Sequence, residues 1–104
     1  MVMESFHAQR RAALHERRAE LRQLCEGAAV MDILSPNPRR GIQIRVLDVA
    51  TASLKLSVPS FISPGSIVRI FMTEATAQAE VRYCICEGPE HHIGVRLEEI
   101  EPKA

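Results

Sequence analysis

The strongest constraint on the fold of this chain is an alternation of apolar and polar residues that runs through most of its length. Ile42, Ile44 and Val46 alternate with polar neighbours, and the same period of two continues through residues 53–58 and 77–86. Successive side chains of a strand point to opposite faces of its sheet. The alternation therefore predicts strands that bury one face and expose the other.

Short turns separate these segments, at SPNPRRG (35–41), SPG (63–65), TEAT (73–76) and EGPE (87–90). Connections this short join antiparallel strands, because parallel strands need a long crossover. The pattern predicts an all-β fold, a small six-stranded antiparallel β-barrel. The strands are expected at about 28–34, 41–49, 53–58, 66–73, 77–86 and 91–98. The expected interior residues include Val46, Leu56, Val68, Val81 and Val95.

A different pattern precedes the barrel, in the segment ESFHAQRRAALHERRAELRQL (4–24). It contains no Gly or Pro, is rich in Ala, Leu, Arg and Glu, and carries only a thin apolar stripe at helical intervals. We expect an N-terminal α-helix that covers an edge of the barrel. A chain of 104 residues is long enough for one core. The expected division is therefore a helical segment at 1–24 and a barrel domain at 25–104.

Charge and hydropathy exclude several classes of partner. Thirteen basic and thirteen acidic side chains cancel, so recognition of an anion must come from local clustering. Nucleic-acid binding by the N-terminal arginines is disfavoured, because Glu16 and Glu20 interrupt them and the chain has one Tyr and no Trp for stacking. No apolar stretch approaches the roughly 20 residues of a membrane span, and no signal-peptide core follows Met1. We expect no membrane insertion and a cytoplasmic location.

Catalytic chemistry finds little support in the sequence. There is no GxSxG motif and no Gly-rich loop before a helix. Glu98 and Glu99 are adjacent on a predicted strand, so they point to opposite faces, which favours a solvated C-terminal edge over a general acid and base. The chain is not expected to be an enzyme or to carry a cofactor.

The number and spacing of the cysteines predict free, reduced thiols. Cys25, Cys84 and Cys86 are odd in number, and an intracellular domain of this size does not need disulfides. Cys84 and Cys86 lie two apart and precede His91 and His92, a spacing that fits no common structural zinc site. We expect free thiols packed in or against the sheet, and no metal.

Several stretches together carry a resemblance to a known family. They are RRAELR (17–22), DVATASLKL (48–56), SPGSIVRI (63–70), AEVRYC (79–84) and HHIGVRLEEI (91–100). In this order and at these distances they resemble the PilZ domain, a small bacterial barrel that binds the second messenger cyclic di-GMP. The resemblance covers about residues 17–98 and implies the split barrel of that family.

The resemblance also implies a ligand site. The family binds through an RxxxR motif ahead of the barrel, which matches Arg18 and Arg22, and through a (D/N)xSxxG motif at a strand corner. The acidic position of the second motif matches Asp48. Ala50 stands where the family usually has Ser, and Ser53 stands where it has Gly, so both depart from the pattern. Ala50 lacks a hydroxyl, and Ser53 brings in a Cβ.

These residue types suit the ligand. A guanidinium can donate two hydrogen bonds to the N7 and O6 acceptors of guanine, and it pairs with phosphate. An ionised Asp48 can accept from the N1 and N2 donors on the opposite edge. Arg18 and Arg22 have a plainer interpretation as the basic end of a solvated helix, and Asp48 as the cap of a turn. Arg39 and Arg40 are expected to be solvated charges in a Pro-rich hairpin.

Two functions of different classes follow. The first is a sensor that couples cyclic di-GMP binding to the interaction with a downstream protein partner, which the sequence does not name. The second is a degenerate PilZ-like interaction module in which Ala50 and Ser53 have ended ligand binding. Titration with cyclic di-GMP separates the two.

Overall fold

Six antiparallel strands form a closed barrel in the computed structural model, which describes residues 27–103. The strands are β1 (Gly27–Ser35), β2 (Arg39–Val49), β3 (Ser53–Val58), β4 (Ile67–Phe71), β5 (Ala75–Glu87) and β6 (Glu90–Pro102). Their order around the barrel is β1-β2-β3-β6-β5-β4, and pairing of β4 with β1 closes the ring. The small six-stranded antiparallel barrel expected from the sequence is confirmed, whereas the N-terminal helix predicted for 1–24 lies outside the described residues.

One face of every strand fills the barrel. Leu56, Val68, Val81 and Val95, four of the five expected interior residues, are at most 1% exposed. Val46 is only partly buried and packs against the rim of the core. The pairing of β2 with β3 shifts register directly after Val46, so the regular alternation of faces is interrupted there.

Two strands, β2 and β6, extend beyond the ends that were predicted from the turn residues. β6 continues to Pro102, which pairs with Ala75 of β5, whereas the expected end was near residue 98. Arg39 and Arg40 lie in β2, not in the hairpin loop as expected, although both are exposed. Exposed polar residues at the end of a strand resemble loop residues in composition, so the apolar pattern does not mark where the pairing stops.

The EGPE turn joins β5 to β6 through two residues, because Glu87 pairs directly with Glu90. Gly88, the first residue of the loop, has a φ of 62°. A positive φ at that position is the pattern of a type II′ turn, which matches the twist of the two strands. This tight turn fixes the register of the β5–β6 pair, the longest in the barrel.

Among residues 27–103 there is no helix that is long and apolar enough to cross a membrane.

Candidate functional site

The corner between β2 and β3 begins with a bulge. Val46 pairs with Leu56 and Asp48 pairs with Lys55, so Leu47 is the extra residue on β2. Such a bulge redirects the side chains that follow it. Asp48 points outward, and its Oδ1 accepts a hydrogen bond of 2.9 Å from the N–H of Val49. The bulge thus fixes the carboxylate of Asp48 on the outer wall.

Backbone hydrogen bonds hold the rest of this corner. The N–H of Ala50 donates to the carbonyl of Ser53 at 2.9 Å, which closes the turn. The N–H of Leu97 on β6 donates to the carbonyl of Ala52 at 2.8 Å. Because the turn is tied both to itself and to β6, Asp48 and Ser53 are held at a defined separation.

Two cross-strand rows of outward residues continue from this corner. The first runs from Asp48 through Lys55 and Gly94 to Tyr83, each paired directly with the next. The second pairs Ser53 with Arg96, and Arg96 with Glu80. The first row therefore contains a position without a side chain, Gly94, in the middle of the outer wall.

A cavity of about 220 Å³ opens at these two rows. It is lined by Asp48, Ala50, Ser53, Leu54, Lys55, Arg82, Tyr83, Gly94, Val95 and Arg96. Pockets that enclose a drug-sized ligand usually measure about 300–1,000 Å³. The cavity therefore suits a part of a large ligand, such as one base, better than a whole dinucleotide.

Cations predominate around the cavity although the whole chain is neutral. The lining contains three cations, Lys55, Arg82 and Arg96, and one carboxylate, that of Asp48. Arg96 Nη2 lies 3.0 Å from Glu80 Oε1, and Arg82 Nη1 lies 4.0 Å from the same oxygen. Both guanidinium groups are more than half exposed, and exposed ion pairs contribute only about 0–1 kcal/mol. Arg96 Nη2 also lies 4.0 Å from Glu98 Oε2, so both arginines take part in weak ion pairs at the surface of the barrel.

Three of the five site residues expected from the resemblance come together here. Asp48, Ala50 and Ser53 all line the cavity. Ser53 needs no left-handed backbone, since no residue other than glycine has a positive φ within the described part of the chain. Arg18 and Arg22 lie outside the described residues.

The start of β1 fixes where the preceding chain must enter. Gly27 pairs with Val46, one residue before the bulge that leads into Asp48. Arg22 precedes Gly27 by five residues, a span of at most about 17 Å.

Sequence reasoning missed the opposite side of the cavity, formed by Arg82, Tyr83 and Arg96. Arg82 is the extra residue at another register shift, where Val81 pairs with Val95 and Tyr83 pairs with Gly94. One available signal was Gly94 itself, because an isolated glycine inside a strand pattern often marks a close approach or a bulge.

A separate polar cluster lies on the outer wall beside the first row. Glu90 Oε1 accepts hydrogen bonds from Ser57 Oγ and His92 Nε2, each 2.9 Å long, and Glu90 Oε2 accepts one of 3.3 Å from Arg45 Nη2. The bond from His92, followed by that from Ser57, lowers the pKa of Glu90 below the ordinary value of 4.5. This cluster links β2, β3 and β6. It therefore stabilises the barrel and is not part of the cavity.

The two described cysteines are free thiols. Cys84 is partly buried against the core, as expected, whereas Cys86 is exposed, with its Sγ 3.5 Å from Nε2 of His91. No group of three or more His, Cys, Asp or Glu side chains able to hold a metal ion occurs between residues 27 and 103. Cys25 lies outside this range.

Comparisons with models of protein families, with curated proteins and with solved structures find no match. Of what the resemblance implies, the structure therefore shows the small six-stranded antiparallel barrel alone.

Proposed function

We propose that this chain is a cyclic di-GMP-binding sensor domain of the PilZ type. One observation carries the proposal: the three residues at the key positions of the family's second motif, Asp48, which matches it, and Ala50 and Ser53, which depart from it, line one cavity on the outer wall, and three cations line it with them. The proposal includes a cytoplasmic location and no enzymatic activity.

Asp48 is the residue that would select guanine. Its Oδ1 already accepts from Val49, and no donor within residues 27–103 bonds to Oδ2. Guanine presents donors at N1 and N2, which a carboxylate can accept, whereas adenine presents no such pair. Arg82 and Arg96 are placed to neutralise a phosphodiester, since their present partners are the carboxylate of Glu80 and, for Arg96, also that of Glu98 at 4.0 Å, and both arginine side chains are more than half exposed.

The part of cyclic di-GMP that does not fit in the cavity would need contacts from another segment of the protein. The cavity of about 220 Å³ is too small to enclose a dinucleotide. Arg18 and Arg22 precede Gly27 in the sequence, and Gly27 pairs with Val46, two residues before Asp48. Closure of the segment that carries these arginines over bound cyclic di-GMP would change the surface offered to a downstream protein, which is how binding would become a signal.

The degenerate module is the second candidate, and Ala50 is the observation that favours it. Ala50 lines the cavity but has no hydroxyl to donate to the ligand. In this case the barrel would act only through its exterior, and the cavity would hold no nucleotide.

Parallel titrations with cyclic di-GMP and cyclic di-AMP test the proposal. We expect the chain to bind cyclic di-GMP at least about tenfold more tightly, because adenine leaves Asp48 without donors. Asp48→Asn should remove most of this preference, since an amide cannot accept from N1 and N2 as the carboxylate does. Equal affinity for the two nucleotides, or none for either, would refute guanine recognition by this corner.

A further inference from the structure

Tyr83 occupies the gap that Gly94 leaves in the outer wall. A Cβ built on Gly94 would overlap the outer end of the Tyr83 ring, at Cε2, Cζ and the hydroxyl oxygen. The ring therefore lies across the backbone of β6 and does not extend away from the barrel. Such cover of a strand glycine by a cross-strand aromatic ring is a known stabilising arrangement.

The covering of Gly94 does not account for the exposed part of the Tyr83 ring. Tyr83 lines the cavity and remains 43% exposed, and no residue between 27 and 103 forms a hydrogen bond to its hydroxyl group. Tyr83 is the only aromatic side chain among the lining residues, and Arg82 and Arg96 line the same cavity. An exposed aromatic ring together with cations is the combination with which proteins stack unpaired bases and hold the attached phosphates.

We infer that Tyr83, positioned by Gly94, is the surface on which a purine base of the ligand stacks. This inference rests on the proposed function and extends it to the side of the cavity opposite Asp48. The two residues divide recognition between them. Stacking accepts any purine and supplies affinity, whereas Asp48 reads the edge of the base and supplies the preference for guanine.

The protein provides its own probe for this contact. It has one tyrosine and no tryptophan, so its intrinsic fluorescence comes from Tyr83 alone. Titration of the full chain with cyclic di-GMP should quench this emission to saturation, with the same dissociation constant as calorimetry gives. A parallel titration of free N-acetyltyrosinamide corrects for the light that guanine itself absorbs.

Three variants separate stacking from structural cover. Tyr83→Phe keeps the ring and should bind within about twofold of the natural chain, whereas Tyr83→Leu covers Gly94 without an aromatic face and should bind about five- to a hundredfold more weakly. Ile85→Ala is the matched control, because Ile85 is the next outward residue of β5 and is equally exposed at 43%. It should change neither affinity nor fluorescence. Circular dichroism checks the fold of each variant.

The results distinguish the inference from the proposed function. Calorimetric binding without saturable quenching, or equal affinity of Tyr83→Phe and Tyr83→Leu, would overturn the stacking surface and leave cyclic di-GMP recognition intact. Should Tyr83→Leu fail to fold, the quenching of the natural chain decides alone. Absence of calorimetric binding by the natural chain would refute the proposed function and the stacking surface together.

Discussion

The ring of Tyr83 on β5 lies over Gly94 on β6, in the place where a side chain at residue 94 would stand. The two residues are direct cross-strand partners, so the large side chain of one fills the space left by the other. This pairing shapes the outer wall of the barrel, because it sets the ring beside the cavity that also contains Asp48.

Gly94→Ala should therefore displace the ring. The overlapping atoms belong to the free end of a partly exposed side chain, which can swing toward solvent, so we expect a loss in unfolding free energy of only about 1 kcal/mol, the lower end for an overpacked site. Near-UV circular dichroism, which reports on Tyr83 as the main fixed chromophore, should change clearly. An unchanged spectrum would show that the ring does not depend on Gly94.

The fold could be read from the sequence because most strands bury one face and expose the other. Alternation indicated the strands at 41–49, 53–58 and 77–86, and the short turns delimited the other strands and required antiparallel neighbours. The bulge after Val46 could not be read in the same way. One extra residue reverses the faces that follow it, and nothing in the composition of Leu47 or Asp48 marks the position.

The candidate site was only partly predictable. Asp48, Ala50 and Ser53 lie in one stretch of six residues, so a local motif identified them together. Tyr83 and Arg96 reach the same cavity through pairing of β3, β6 and β5, which depends on register between segments distant in the sequence. A local sequence motif gives no information about the register between distant strands.

Arg18→Ala and Arg22→Ala should each weaken cyclic di-GMP binding by about ten- to a hundredfold, because each removes charge-assisted hydrogen bonds of roughly 1.5–3 kcal/mol. The thermal stability of the barrel should not change. Arg39→Ala is the control, since Arg39 begins β2 while Asp48 lies nine residues further along, roughly 30 Å away. If Arg39→Ala weakens binding as strongly as the other two variants, the loss of affinity comes from the change in net charge and not from specific contacts of Arg18 and Arg22.

Restoring the family pattern should tighten binding. Ala50→Ser with Ser53→Gly adds a hydroxyl at the cavity and removes a Cβ, and one new hydrogen bond corresponds to about a two- to tenfold gain in affinity. Most of the gain should come from Ala50→Ser, because Ser53 is not held at a positive φ. Ala52→Ser adds a hydroxyl to the same turn outside the cavity lining and should leave calorimetric affinity unchanged.

Glu90 should contribute to loss of stability in acid. Its pKa in the folded barrel is lowered below 4.5, chiefly by the hydrogen bonds from His92 and Ser57. The folded state therefore binds the proton less readily than the unfolded state, so the stabilisation is present above about pH 4.5 and is lost as the pH falls through the lowered pKa. Thermal melts of the natural chain and Glu90→Gln should differ at neutral pH and converge in acid. Parallel curves at every pH would contradict this role.

Calorimetric titration with cyclic di-GMP tests the central claim most directly, performed on the natural chain, on Asp48→Ala and on Glu87→Ala. Glu87 is an exposed carboxylate at the far end of β5, outside the cavity lining, so its removal changes the net charge equally and controls for that effect. We predict saturable binding to the natural chain and to Glu87→Ala, and clearly weaker binding to Asp48→Ala. No heat of binding at high micromolar ligand, or equal affinity of all three proteins, would contradict a cyclic di-GMP site at the β2–β3 corner.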